Sequence, residues 1–133
     1  MVPIEQKSNS KRIFLIDDDP DVTLFFKVAL EGAGFTVDTY NDPIQAMSKF
    51  RSNFYDLLLI DIRMPVLDGF NLYRKLRRRD KVKVCFITSF EEYYQSIKQE
   101  HPLLEKELSC LIRKPIALKD LINRVKNVLN PLS

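Results

Sequence analysis

Histidine and cysteine are nearly absent from this sequence, with one histidine and two cysteines among 133 residues. That donor set is too small for a zinc centre, whose structural form takes four nitrogen or sulfur ligands. Long hydrophobic runs are missing too. The longest apolar stretches are a few residues, far below the ~20 that a membrane-spanning helix needs, so no membrane association is expected. Nor does the N-terminus carry a signal-peptide pattern, and no repeat or low-complexity segment interrupts the chain. Cys85 and Cys110 each lie inside an apolar run. They are expected as reduced thiols in the core of a cytoplasmic protein.

What the chain does contain is an ordinary globular balance, 45% hydrophobic and 29% charged, which excludes a disordered chain. Residues 1–10 are polar and without period, and read as a loose tail. Residues 11–133 are expected to form one domain, ending after a last helix with no room for a second. The net charge of +3 is unevenly spread: Arg74, Lys75, Arg77, Arg78, Arg79, Lys81 and Lys83 crowd one stretch. Such a cluster could attract nucleic acid. Few aromatics are interleaved with the charges, so the Arg74–Lys83 cluster reads first as the solvated face and tail of a helix.

Short apolar runs alternate with helix-like segments. Asp19-Pro20 and Asp42-Pro43 each supply a capping carboxylate followed by proline at the first helical position. The first of these helices should bury Val22, Phe25, Phe26 and Ala29 and end at Gly32 and Gly34; the second should bury Ala46, Met47 and Phe50. Asp68-Gly69 opens a third, with Phe70, Tyr73 and Leu76 inward. A fourth follows Phe90 and is interrupted near His101-Pro102. Leu118, Leu121, Ile122, Val125 and Leu129 line a face of the last. Strands are expected near Ile13–Ile16, Thr36–Tyr40, Leu57–Asp61, Val82–Thr88 and Leu108–Ile112. Five strands alternating with five helices predict a parallel α/β sandwich with right-handed crossovers.

Three features fall where apolar runs end. Ile13-Phe14-Leu15-Ile16 runs into Asp17-Asp18-Asp19, Leu57-Leu58-Leu59-Ile60 into Asp61, and Leu111-Ile112 stops just short of Lys114-Pro115. Continuous apolar runs of this length read as buried strands of a parallel sheet, and ligands of such sheets bind beyond the carboxyl ends of the strands. If the runs lie side by side, three carboxylates and one ammonium meet at one edge. That is a site for a divalent cation and a transferable phosphoryl group.

Asp17, Asp18, Asp61, Met64-Pro65, Asp68-Gly69, Thr88 and Lys114-Pro115, taken in order, resemble the response-regulator receiver domain family of two-component signalling. The likeness covers residues from about 11 to 130. It implies a flavodoxin-like, five-stranded parallel sheet of order 2-1-3-4-5 with five helices on both faces. It further implies Mg²⁺-dependent transfer of phosphate to Asp61 from a sensor histidine kinase or phosphorelay protein. Self-catalysed phosphorylation and dephosphorylation would then alter binding to a downstream protein partner, or to a second copy in a homodimer. By the same resemblance the metal ligands are Asp18, Asp61 and the backbone carbonyl of Arg63, with Asp17 helping directly or through water. Thr88 and Lys114 would each engage a phosphoryl oxygen. Met64, Pro65 and Gly69 shape the loop after Asp61, and Asp19 is a helix cap.

Two further readings compete: a receiver-fold scaffold that binds its partner without phosphorylation, and nucleic-acid binding through the basic cluster. A dehalogenase-like phosphatase would want a second aspartate where Arg63 stands. His101, beside a proline in a polar stretch, reads as an exposed loop histidine. The chain departs from the family between Thr88 and Lys114. Glu105 to Ser109 contains no glycine, the segment is long, and Leu111 takes the place of an aromatic. The resemblance therefore carries the phosphorylation chemistry and not the usual output mechanism.

Overall fold

The computed structural model describes residues 10–89, 91–102 and 104–130, the side chains of residues 91–93 and 105 excepted. Five strands, β1 (Arg12–Ile16), β2 (Thr36–Tyr40), β3 (Leu57–Asp61), β4 (Lys83–Thr88) and β5 (Leu108–Arg113), form one sheet of order β2-β1-β3-β4-β5. Every pairing is parallel. The helices between them are α1 (Pro20–Gly32), α2 (Pro43–Lys49), α3 (Gly69–Arg77), α4 (Glu91–Glu100) and α5 (Leu118–Leu129), with one extra helical turn, Leu104–Glu107, before β5. This is the parallel α/β sandwich that the patterning predicts, in the flavodoxin-like order that the family resemblance implies. None of the helices described is long and apolar enough to cross a membrane.

The inner strands β1, β3 and β4 are buried along nearly their whole length because both of their faces are covered. Phe14, Ile16, Leu58, Ile60 and Phe86 pack with Ala46, Phe70, Tyr73, Tyr94 and Ile97 from α2, α3 and α4, and with Phe50 just past α2. The alternate residues Ile13, Leu15, Leu57, Leu59 and Ile87 pack with Phe26, Leu30, Leu121 and Val125 from α1 and α5. Each such side chain contributes roughly 1.5–3 kcal/mol on full burial, so the strands' alternation sets which helix covers which face.

The predicted caps are in place. The Asp19 carboxylate accepts from Asp21 N at 2.9 Å and that of Asp42 from Ile44 N at 3.1 Å, each ahead of its proline. Gly34 takes φ +102°, the left-handed conformation that turns the chain out of α1. The α1 face differs from the expected one. Thr23, Phe26 and Leu30 are its buried residues, while Phe25 is 60% exposed beside Leu24 and Val28. Apolar residues occupy more than one face of this helix, and periodicity alone could not choose between them. On α5, Leu121 and Val125 are buried, Ile122 and Leu129 pack partly against the core, and Leu118 is exposed. Of the tail expected over residues 1–10, only Ser10 lies among the described residues. Its hydroxyl donates to the Gly34 carbonyl at 2.6 Å, so it belongs to the fold.

The cysteine expectation is corrected. Cys85 on β4 and Cys110 on β5 are joined in a disulfide, and there is no free cysteine. The reason is register: Cys85 is the direct partner of Cys110 across the ladder, with Cα atoms 4.6 Å apart, within bridging range.

Candidate functional site

The sheet order places β1 and β4 on either side of β3, with β5 beyond β4. Asp17 directly follows β1, Asp61 is the last residue of β3, Thr88 the last of β4, and Lys114 directly follows β5. All four predicted strand ends therefore open on one edge of the sheet. One backbone bond across it, from Lys114 N to Thr88 O at 2.8 Å, holds β5's exit beside β4's. A second, from Ile62 N to Ile87 O at 2.9 Å, does the same for β3 and β4.

Carboxylate oxygens of Asp17, Asp18 and Asp61 lie within 4.8 Å of one another. Asp17 and Asp61 are buried and Asp18 is exposed. Lys114 Nζ sits 2.9 Å from Asp17 Oδ2 and 3.9 Å from Asp61 Oδ2. The other Asp17 oxygen accepts from Asp19 N at 2.9 Å. Arg63 follows Asp61 with an exposed side chain, and its backbone N–H reaches toward Asp61 Oδ1 at 3.4 Å. The cleft, of about 520 Å³, is lined by Asp18, Asp61, Arg63, Ser89 and Lys114 among others. Thr88, the last residue of β4 and next to Ser89, is buried. Asp19, as expected, is a cap.

One ammonium faces three carboxylates, and the electrostatics follow. Burial first, then the charge of Asp17, pushes the Asp61 carboxyl up to about 8, against the opposing pull of Lys114. Burial raises Asp17 as well, although the Asp19 N–H and Lys114 favour its ionised form. For Lys114, burial opposes the charge, but its hydrogen bond to Asp17 and the nearby carboxylates outweigh burial and raise its pKa. The lysine is thus firmly cationic, while the carboxylates remain under-compensated. Like charges about 4 Å apart repel by about 4 kcal/mol at an effective dielectric of 20. A site made only of hard oxygen donors with surplus negative charge fits Mg²⁺ and not a soft metal.

Sequence reasoning missed two supports. Asn41, just past β2, donates through Nδ2 to the Asp17 carbonyl at 2.8 Å and to Thr23 Oγ1 at 3.0 Å. Together they pin the backbone under the acidic pair, and a lone Asn after a strand gives no pattern that would reveal it. Gly69, read only as a loop former, starts α3 hard against the end of β3. A Cβ there would collide with the Asp61 carbonyl oxygen and lie 2.8 Å from both the Asp61 carbonyl carbon and Ile60 Cγ2. Its N–H donates to Ile62 O at 2.7 Å, closing the loop that carries Met64 and Pro65. The Lys114-Pro115 bond is cis.

Elsewhere, part of the basic cluster is structural. Arg79 donates to the carbonyls of Met47 and Phe50, Lys83 to that of Val128, and Arg77 to the Tyr73 hydroxyl. His101 does lie in the loop after α4, but it is half-buried over the Phe70 ring, at 4.4 Å between centroids, and not exposed. A polar neighbourhood in sequence concealed an aromatic one in space. Leu111, in the place of the aromatic, packs partly against the core. Phe90 lies outside the described residues.

The comparisons agree with this geometry. Residues 13–126 match the model of the response regulator receiver domain. The chain is 36% identical over 120 residues to the response regulator receiver protein CpdR of Brucella abortus, covering 90% of this chain and 97% of that protein. It is 27% identical to the transcriptional activator protein IrlR of Burkholderia pseudomallei, covering 89% of this chain but only 50% of that protein's length. In structure it resembles the response regulator TrrA of Thermotoga maritima, solved in complex with Mg²⁺-BeF, with TM-score 0.75 and 28% identity. That match covers 90% of this chain and 99% of the other. Acidic strand ends, a lysine reaching across them, the 2-1-3-4-5 sheet and the matched model lead to one conclusion: the chain belongs to the response regulator receiver domain family.

Proposed function

We propose that this chain is a phosphoacceptor switch in which Asp61 takes a phosphoryl group from a phosphohistidine of a sensor histidine kinase or phosphorelay protein. The observation that carries the reading is Asp61 and Lys114 Nζ facing each other at 3.9 Å in a cleft shared with two more carboxylates. A carboxylate oxygen of Asp61 bonds to phosphorus as the phosphorus–nitrogen bond to imidazole breaks. The electron pair returns to the ring nitrogen, and the product is an acyl phosphate. Positioning and charge neutralisation supply most of the catalysis in such transfers. Lys114 leaves Asp17 to engage one phosphoryl oxygen, and the Thr88 hydroxyl donates to another.

The residues that would hold Mg²⁺ are Asp18, Asp61 and the backbone carbonyl of Arg63, with Asp17 close behind. Bound there, the ion would neutralise the surplus charge and keep Asp61 ionised for attack. Asp17 is already occupied by Lys114 and the Asp19 N–H, whereas Asp18 is exposed in the cleft. Asp18→Ala should therefore weaken Mg²⁺ binding in calorimetric titration more than Asp17→Ala does. Equal losses would reverse the assignment of the acidic pair.

An apolar groove lined by Phe25, Ile116 and Leu118 shares Ser89 and Lys114 with the acidic cleft. A donor helix laid along that groove would bring its phosphohistidine to Asp61. For output, Tyr73 donates to Glu107 at 2.6 Å and so ties α3 to the turn ahead of β5. With leucine at 111 in place of an aromatic, phosphorylation is expected to act through dimerisation or helix packing.

Incubating the full chain with acetyl phosphate and Mg²⁺ should place a single phosphoryl group on Asp61, located by mass spectrometry. Asp61→Asn should remain unlabelled. A label that survives this substitution, or a native chain that takes none, would sink the reading and favour a phosphorylation-independent scaffold.

A further inference from the structure

We propose that Cys85 and Cys110 form a thiol–disulfide exchange site, entered through Cys110, whose oxidation state sets how firmly β5 is anchored to β4. β5 is an edge strand, and of its six residues only Ile112 is fully buried. The ladder that should hold it shifts register between Val84 and Cys85. The bridge lies at that shift, so a covalent tie stands where the hydrogen-bonded ladder is irregular. Three residues beyond Cys85 is Thr88, and four beyond Cys110 is Lys114. The bridge therefore fastens together the two strands that deliver the hydroxyl and the ammonium to the cleft.

The two sulfurs differ in access. Cys85 is fully buried in the core beneath α1 and α5. Cys110 is half-buried and lines a separate cleft of about 440 Å³, bounded by Lys83 on β4 and by Arg124 and Val128 on α5. Lys83 Nζ and the Arg124 guanidinium stand at this cleft, donating to the carbonyls of Val128 and Leu111 at 2.9 and 2.7 Å. Two cations lining the same cleft as the half-buried Cys110 favour a small anionic thiol of the glutathione class.

The thiolate of that small molecule attacks Cys110 Sγ. A new sulfur–sulfur bond forms there, the bond to Cys85 breaks, and its electron pair passes to Cys85 Sγ, which takes up a proton. A second small thiol attacks the mixed disulfide and releases Cys110 as a thiol. The protein gains two electrons and two protons, and two small thiols become one disulfide. Run in reverse, the small disulfide restores the bridge. In a reducing compartment such bridges are transient and serve sensing, which reconciles this pair with the rarity of stable cytosolic disulfides. That loosening β5 would also disturb Lys114 in phosphoryl transfer rests on the function proposed above.

The test uses the native full chain, poised in glutathione from fully reduced to fully oxidised, with thiols trapped by alkylation and mapped by mass spectrometry. Bridged and dithiol forms should interconvert, and Cys85→Ala should accumulate glutathione on Cys110 while Cys110→Ala leaves Cys85 unmodified. A pair that stays bridged or stays reduced at every poise, or equal modification of both cysteines, would overturn the exchange site. Amide hydrogen exchange over residues 108–113 should accelerate at least about tenfold on reduction, and equal exchange would overturn the anchoring. Acetyl phosphate labelling should slow several-fold on reduction. Equal labelling rates would refute the link to Lys114. Failure of both forms to label would instead refute the phosphoacceptor reading, with hydrogen exchange still deciding the anchoring.

Discussion

Gly69→Ala is expected to destabilise the protein by about 3 kcal/mol or more, and to abolish most phosphoryl acceptance by whatever still folds. The substitution would be close to neutral or helpful at an exposed helix start. Here the added methyl has no room, because the backbone of Asp61 and the Ile60 side chain occupy its place. Neither obstacle is the free end of a flexible side chain. Asp61 is a backbone obstacle in the middle of the sheet, and Ile60 is fully buried. Relief requires α3 to back away from β3, which breaks the Gly69–Ile62 hydrogen bond and moves the Asp61 carboxylate. Urea unfolding monitored by circular dichroism gives the stability, and acetyl phosphate labelling gives the acceptance. A variant within about 1 kcal/mol of the native protein that labels normally would show that the loop is far more compliant than this packing implies.

The second large effect is one of charge. Without metal, stability should fall as pH rises from about 4 to about 8. The carboxyl of Asp61 is pushed from 3.8 to about 8 in the fold, so between those values the folded state holds a proton that the unfolded state has released. Stability then decreases with pH by linkage. The contribution is present in full below the unfolded pKa and is lost by the time the pH passes the folded one. Asp17 moves in the same direction. The loss should amount to several kcal/mol by pH 8, since a tenfold change in proton affinity corresponds to about 1.4 kcal/mol, with the titration shared among the neighbouring carboxylates.

Asp61→Asn should therefore stabilise the metal-free protein at pH 8 and flatten the profile. Lys114 would not be left unpaired by that change, because Asp17 holds it at 2.9 Å. Adding Mg²⁺ should also flatten the native profile, doing with a cation what the proton does at low pH, and should do much less for the variant. Denaturation at pH 5 and pH 8, with and without Mg²⁺, checks all four cases. A metal-free native protein whose stability rises toward pH 8 would contradict the charge arrangement described here.

Much of this site was legible in one dimension because it is built from strand ends. In a parallel sheet every strand points the same way, so a polar residue that terminates an apolar run must surface at the common edge. Asp17, Asp61 and Lys114 could be placed together on that ground, whereas Thr88 joined them only through the family resemblance. The helix starts were legible for an equally local reason, since Asp19 and Asp42 satisfy N–H groups only two residues away. Phe25 shows where such reasoning stops. Helical spacing admits several apolar faces on α1, and only the position of α5 and the sheet decides that Phe26 is covered and Phe25 is not. His101 and Asn41 found partners, Phe70 and the Asp17 carbonyl, far away in sequence.

Sequence alone determined the order of strands and helices, the residues at each strand end, and hence the chemical class of the site. These follow from local patterning and from the rule that buried strands need apolar side chains on both faces. The tertiary structure alone decided the register that brings Cys85 against Cys110, the approach of α3 that only glycine permits at 69, and the sharing of one ammonium among three carboxylates. Those are distances between segments remote in the chain, set by the packing of whole elements. No single segment's sequence encodes them.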